Sequence, residues 1–186
     1  MRKILSIIGF LGIFMNLANA SATASHTAFY AEPKVVYTFG ETVRHEHANL
    51  KGDHGYGIGF DIGYLFTKHF GLEIDGTYSR SKVKERNLHG VLQEEDTASF
   101  YSYGINSVFT YPMSKHFILL GKLGYMAEHE DLGSLNIEGT EHGAAWAFGL
   151  EYEVNEHIEI SCEYEDANID SVRGASLQLG LIYKFF

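Results

Sequence analysis

Between Tyr56 and Phe66 the chain changes character at every residue. Tyr56, Ile58, Phe60, Ile62, Tyr64 and Phe66 alternate with Gly57, Gly59, Asp61 and Gly63. A period of two marks an extended strand with two unlike faces, because successive Cβ atoms point to opposite sides. The pattern recurs along the chain. Phe29–Gly40 sends Val35, Tyr37 and Phe39 to one face, with Pro33 favouring a strand start or edge because proline cannot donate to a ladder. Phe70, Leu72, Ile74 and Tyr78 lie opposite Glu73, Asp75 and Thr77; Tyr101, Tyr103, Ile105, Phe109 and Tyr111 lie opposite Ser102, Gly104, Asn106 and Thr110. Phe117, Leu119, Leu123 and Tyr125 oppose Lys122, Gly124 and Glu128. Trp146, Phe148, Leu150, Tyr152 and Val154 oppose Gly149, Glu151 and Glu153, and Ile158, Ile160, Cys162 and Tyr164 oppose Glu159, Ser161, Glu163 and Glu165. In the final stretch, Leu177, Leu179, Leu181, Tyr183 and Phe185 share a face against Gln178, Gly180 and Lys184. The pattern predicts eight strands of ~9–12 residues, the length a tilted membrane-crossing strand needs. An even count returns both chain ends to one side.

The connections alternate as well. Three are tight: Thr67 to His69, Pro112 to His116 and Asn155 to His157. Each closes a common run of tyrosine, any residue, hydrophobe, polar residue, charge, histidine and hydrophobe, so the chain is built of repeating hairpins. His69, His116 and His157 are therefore expected as turn and interface residues. The other four connections, Glu41–Gly55, Ser79–Thr97, His129–His142 and Asp166–Ala175, are long and polar and are predicted as loops. Short turns on one side and long loops on the other is the asymmetry of an outer-membrane barrel, with the long loops extracellular.

The first twenty residues have a different character: charged Met1-Arg2-Lys3, apolar Ile4–Leu17, then Ala18-Asn19-Ala20. This is the layout of a secretory leader, and its apolar run is too short for a spanning helix. The expected division is residues 1–20 as signal peptide and 21–186 as one domain. Mean hydropathy is only −0.11, which suits strands that alternate lipid-facing and lumen-facing residues. Twenty glycines, two prolines and 14% aromatic residues fit many short strands with interfacial rings. The formal charge of −10, more negative still without Arg2 and Lys3, argues against a nucleic-acid partner, which needs clustered cations. Cys162 is the single cysteine, so no intramolecular disulfide forms; its place on the lipid face fits a small hydrophobe better than a reactive thiol.

The other strand faces carry Glu32, Lys34, Asp61, Glu73, Asp75, Asn106, Lys122, Glu128, Glu151, Glu153, Glu159, Glu163, Glu165, Gln178 and Lys184. An eight-stranded barrel is just wide enough for side chains to fill it, and buried charges must be paired. A polar plug is expected, with Lys34, Lys122 and Lys184 bridging carboxylates and the surplus acids either near the wet rim (Glu128, Glu163 and Glu165) or holding a proton. Paired carboxylates can serve as general acid and base, but a structural network is the simpler reading.

Chemistry in the loops is sparse. His45-Glu46-His47 and Asp53-His54 place imidazoles and carboxylates where a flexible loop would close over zinc or nickel. Ser79–Arg86 is basic in an acidic chain and would suit lipopolysaccharide phosphates. None of the ten histidines is followed two positions later by serine, the pair of lipid A deacylases, and Gly174-Ala-Ser-Leu-Gln lacks the last glycine of a nucleophile elbow. No catalytic residue and no cofactor is expected.

The leader, the opening Phe29-Tyr-Ala-Glu-Pro-Lys-Val-Val-Tyr-Thr-Phe-Gly, the hairpin turns and the closing Tyr183-Lys-Phe-Phe186 resemble the small outer-membrane β-barrels: the OmpA transmembrane domain, OmpX and the opacity-type proteins. The resemblance spans Ser21–Phe186. It implies an all-β, eight-stranded, antiparallel up-and-down transmembrane barrel in the bacterial outer membrane. It also implies a non-enzymatic surface role in envelope integrity, adhesion or host interaction through the long loops. The partners it implies are outer-membrane lipid and lipopolysaccharide, host or surface ligands at the loops, and the assembly machinery, read through the strand from Leu177 to Phe186. Register puts Phe185 on the lipid face, so the aromatic that signals assembly is Phe185 or Phe186. The alternatives are a metal-binding barrel using His45, His47 and His54, a narrow channel, and a lipid A-modifying enzyme.

Overall fold

The structure, a computed structural model, describes residues 27–44, 48–87, 92–132 and 137–185. The strands are β1 (Ala28–Thr38), β2 (Thr42–Arg44), β3 (Ala48–Thr67), β4 (Phe70–Asn87), β5 (Leu92–Pro112), β6 (Phe117–Leu132), β7 (Ile137–Asn155), β8 (Ile158–Ala167) and β9 (Ser176–Phe185). Each long strand pairs antiparallel with the next, and β1 pairs with both β3 and β9, closing a ring of eight; β2 is a short extra strand on β3. Closure leaves the ring without a free edge, so ladder N–H and C=O groups are paired within it, as a lipid environment demands. Pro33 lies inside β1, not at its start: β1 pairs with β9 at Ala31↔Tyr183 and Lys34↔Gly180, and the ladder lapses at Glu32 and Pro33 between them.

Three connections predicted as loops are largely strand. β3 begins at Ala48, β4 runs to Asn87, β5 starts at Leu92, β6 reaches Leu132 and β7 begins at Ile137. Their alternation is polar against small instead of polar against apolar. On β4, Ser79, Ser81 and Val83 are buried while Arg80 and Lys82 are exposed. Above the membrane the outward face turns polar and the inward face mixes Ser79 and Ser81 with Val83, so the period of two survives without its full hydrophobic signature.

The outer face carries the apolar band. Ile58, Ile62, Ile74, Ile105, Leu150, Ile160 and Leu179 are exposed around the ring. Aromatic clusters flank the band. On the short-turn side Phe29 packs on Tyr64 at 4.5 Å and Phe70 on Phe109 at 5.4 Å; on the other side Tyr37 meets Tyr56 at 5.4 Å and Tyr78 meets Tyr101 at 4.9 Å. Exposed apolar surface of this extent is incompatible with water and fits a lipid-facing belt with interfacial rings.

The tight turns share one construction. The Thr67, Ser114 and Asn155 side chains accept the backbone N–H of His69, His116 and His157 and of the hydrophobe after each. Each imidazole Nδ1 then lies 3.0–3.3 Å from a carbonyl on the neighbouring hairpin: Thr110, Glu153 and Lys184. The repeated motif is thus a self-capped turn that also ties adjacent hairpins together.

Candidate functional site

Every lumen residue expected from the alternation turns inward. The charges form stacked layers. In the central layer Lys34 pairs with Asp61 at 2.6 Å; Lys122 reaches Asp61 at 3.3 Å and both Glu73 and Glu163 at 2.8 Å. Ser161 donates to Glu32, Asn106 donates to Asp75 at 2.8 Å, and the Tyr30 hydroxyl donates to Glu73 at 2.7 Å. Oxygens of Glu32, Asp61 and Glu73 gather within 4.8 Å of one another. Lys122 and Lys34 supply the positive charge there, so the trio serves as the anionic half of a salt-bridge network.

The next layer depends on a residue in the irregular segment 168–175, which is expected as a loop. Arg173, between β8 and β9, is only 2% exposed. Its Nε lies 2.5 Å from Glu128 and its Nη2 3.7 Å from Glu165. Ser102 and Ser171 both donate to Glu128. Glu128, Glu163 and Glu165, expected at a wet rim, are therefore buried, because Arg173 and Lys122 bring the cations they need. The segment enters the mouth because Phe39, Gly40 and Glu41 donate their N–H groups to the carbonyls of Ala175, Arg173 and Val172. Gly174 at φ +66° lies against Gly40 at φ +71°, a left-handed pair that suits glycine. Val172 then packs with Leu50, Val83, Ala98 and Phe100 into an apolar cap inside the extended hairpins.

At the short-turn end Lys184 pairs with Glu159 at 2.6 Å, and the lumen widens. On the outer surface above the aromatic clusters β4 presents a basic stripe. Arg80 lies over the Tyr78 ring at 5.4 Å, Lys82 pairs with Glu95 at 2.8 Å and Lys84 with Asp53 at 2.5 Å. The hydrogen bond from Lys84 holds the Asp53 carboxyl below its ordinary value. His54 is exposed, stacked on Tyr37 at 6.0 Å and edge-on to Tyr56. His45 and His47, the other members of the expected metal set, lie outside the described residues, as do Phe186 and the leader 1–20.

A closed antiparallel ring with an apolar, aromatic-flanked exterior and a charged, filled interior defines a transmembrane β-barrel. The sequence matches the outer membrane protein beta-barrel domain over residues 8–185, and the chain belongs to that family of the bacterial outer membrane. Solved structures agree on the fold. OprG of Pseudomonas aeruginosa is 16% identical, with 87% of this chain and 97% of that one covered and a TM-score of 0.67. Ail, the attachment invasion locus protein of Yersinia pestis, in complex with the heparin analogue sucrose octasulfate, is 17% identical over 85% and 99%, TM-score 0.53. Neisserial surface protein A is 17% identical over 84% and 97%, TM-score 0.51. No curated protein matches the sequence.

Proposed function

We propose that the protein is a non-enzymatic surface protein of the outer membrane, acting in envelope integrity, adhesion or host contact through its extracellular hairpins. The observation that carries this reading is the division of the molecule. The lumen is filled by ion pairs through its centre and capped by Val172 and Arg173, while β3–β7 continue as strand beyond the aromatic clusters into the aqueous space. Variation on such a rigid scaffold is concentrated at its loops and hairpin tips. Residues 1–20 act as the leader, and the strand from Leu177 to Phe186 is the segment offered to the assembly machinery.

The basic stripe supports one partner class, anionic groups at the cell surface. Arg80, Lys82 and Lys84 face outward just above the Tyr78–Tyr101 pair, and register sets Lys51 beside Lys84. That height matches the phosphates of lipopolysaccharide, and ammonium and guanidinium groups suit phosphate or sulfate. Ail, of like fold, carries a polysulfated sugar in its structure.

The test compares cells lacking the gene, cells with the wild-type protein, and cells in which Asn-Gly joins Ser79 directly to Phe100. Those two residues are cross-strand partners, so the shortened β4–β5 hairpin closes in register. Wild-type cells are expected to gain adherence to immobilised heparin and resistance to bile salts, and the shortened barrel to fold yet lose the adherence. Equal adherence and equal bile resistance in all three strains overturns the surface role. Altered lipid A mass spectra on expression would instead establish an enzyme.

A further inference from the structure

At the short-turn end, beneath the Tyr30–Glu73 hydrogen bond, the lumen opens into a cavity of about 650 Å³. That size falls within the ~300–1,000 Å³ typical of small-molecule sites. Its walls are unlike. Leu65 on β3, Val108 on β5 and Ile118 on β6 make one side apolar; Glu151 and Glu153 on β7 and Glu159 on β8 make the other acidic. Lys184 answers Glu159 through Oε1 at 2.6 Å, but Glu159 Oε2 is buried without a partner. Glu151 is 6% exposed, and no ion pair or hydrogen bond engages its carboxylate among the described residues. Its oxygens open onto the cavity, where so little-exposed a carboxylate gains from a cationic partner. In the layers above, Asp61, Asp75, Glu163 and Glu165 also keep one oxygen unpaired, but each has a partner on the other or through a neighbouring cation; of these carboxylates, all among the described residues, Glu151 alone has none.

We propose that this vestibule binds a small organic cation from the periplasmic side. The ammonium group docks between Glu151 and Glu159, and an apolar body lies against Leu65, Val108 and Ile118. The chemistry narrows the ligand class. An anion would meet Glu151, Glu153 and Glu159 with Lys184 already engaged, since Lys68 and His157 line only the exposed mouth, beside Glu156. A neutral molecule would leave Glu151 unanswered. A hard divalent cation prefers a compact shell of six or more oxygens, whereas half of this cavity wall is hydrocarbon. The site stands independently of the surface role, since it opens at the opposite end of the barrel.

The test titrates 2-phenylethylammonium into the barrel refolded in phosphatidylcholine nanodiscs, with 2-phenylethanol as the neutral match. Saturable binding of the amine is expected, with the alcohol weaker by about tenfold or more, the scale of a charge-assisted hydrogen bond. Glu151→Gln should weaken the amine by a similar factor, while Glu141→Gln on an extracellular hairpin leaves it unchanged. Ile118→Trp fills the cavity beside Glu151 while leaving every carboxylate in place and should also abolish binding; it decides the matter if Glu151→Gln does not fold. Absence of saturable binding to the wild-type barrel, equal affinity for the alcohol, or retained binding in Ile118→Trp overturns the proposal.

Discussion

Lys122 shows how much of this protein rests on single side chains. Its ammonium touches carboxylates from β3, β4 and β8, so one residue neutralises groups brought from three strands. Lys122→Met leaves Asp61 to Lys34 alone and strips Glu73 and Glu163 of their cation; the expected loss is about 3–5 kcal/mol, seen as a lower urea midpoint of the folded band on gels. Gly180 is equally specific. A methyl group there meets the Glu32 carboxylate and Ser161 Oγ, so Gly180→Ala should break that contact and destabilise the β1–β9 closure by about 1–3 kcal/mol in the same assay. Cys162 reports the environment of the outer face. It is exposed between Leu150 and Leu179, so a charged, impermeant maleimide should leave it unlabelled in intact membranes and label it once the barrel is unfolded in detergent. Labelling by the charged reagent in intact membranes would place that face in water.

At the scale of the strand, the same outward position that welcomes leucine rejects charge. Leu179, half exposed in mid-β9, is expected to cost about 2–4 kcal/mol on replacement by arginine, measured as a loss of refolding yield and urea stability in lipid. In a water-facing barrel the substitution would be neutral. The turns make a smaller demand. Asn155→Ala removes the acceptor for two backbone N–H groups, and since water replaces it in part, the loss should stay near 1 kcal/mol.

For the whole molecule the closed ring predicts resistance to detergent. The outer-membrane fraction run unboiled should show a compact, fast band that slows on boiling; no such shift would contradict closure. The filled lumen predicts no discrete conductance in planar bilayers. Arg173 is the residue to remove: Arg173→Ala takes away the cation between Glu128 and Glu165 and loosens the cap, so brief small steps should appear where the wild type has none.

The strands were legible because a two-residue period is a local property that any eleven residues such as Tyr56–Phe66 display in full. The inward direction of Glu32, Asp61, Glu73 and Lys122, and the pairing of Lys34, Lys122 and Lys184 with carboxylates, followed from that period and from the cost of an unpaired buried charge, though only Lys122 bridges several. So did the recurrent histidine turns. The extension of β3–β7 into three connections expected as loops was hidden, because hydropathy identifies a strand only where the residues of its two faces differ in polarity. Above the membrane Ser79, Arg80, Ser81 and Lys82 alternate without that contrast.

Arg173 marks the deeper boundary. Its partners lie on β6 and β8, and a position in an irregular segment has no period from which its direction can be read. Which acids would be dry, which would find a cation, and that Glu151 would be left facing an apolar wall were decided only when eight strands closed at one stagger and the 168–175 segment entered the mouth. Alternation determines the face of each side chain within its strand. Closure determines its neighbours across the lumen, since those are set by register and ring size, which no stretch of chain contains by itself.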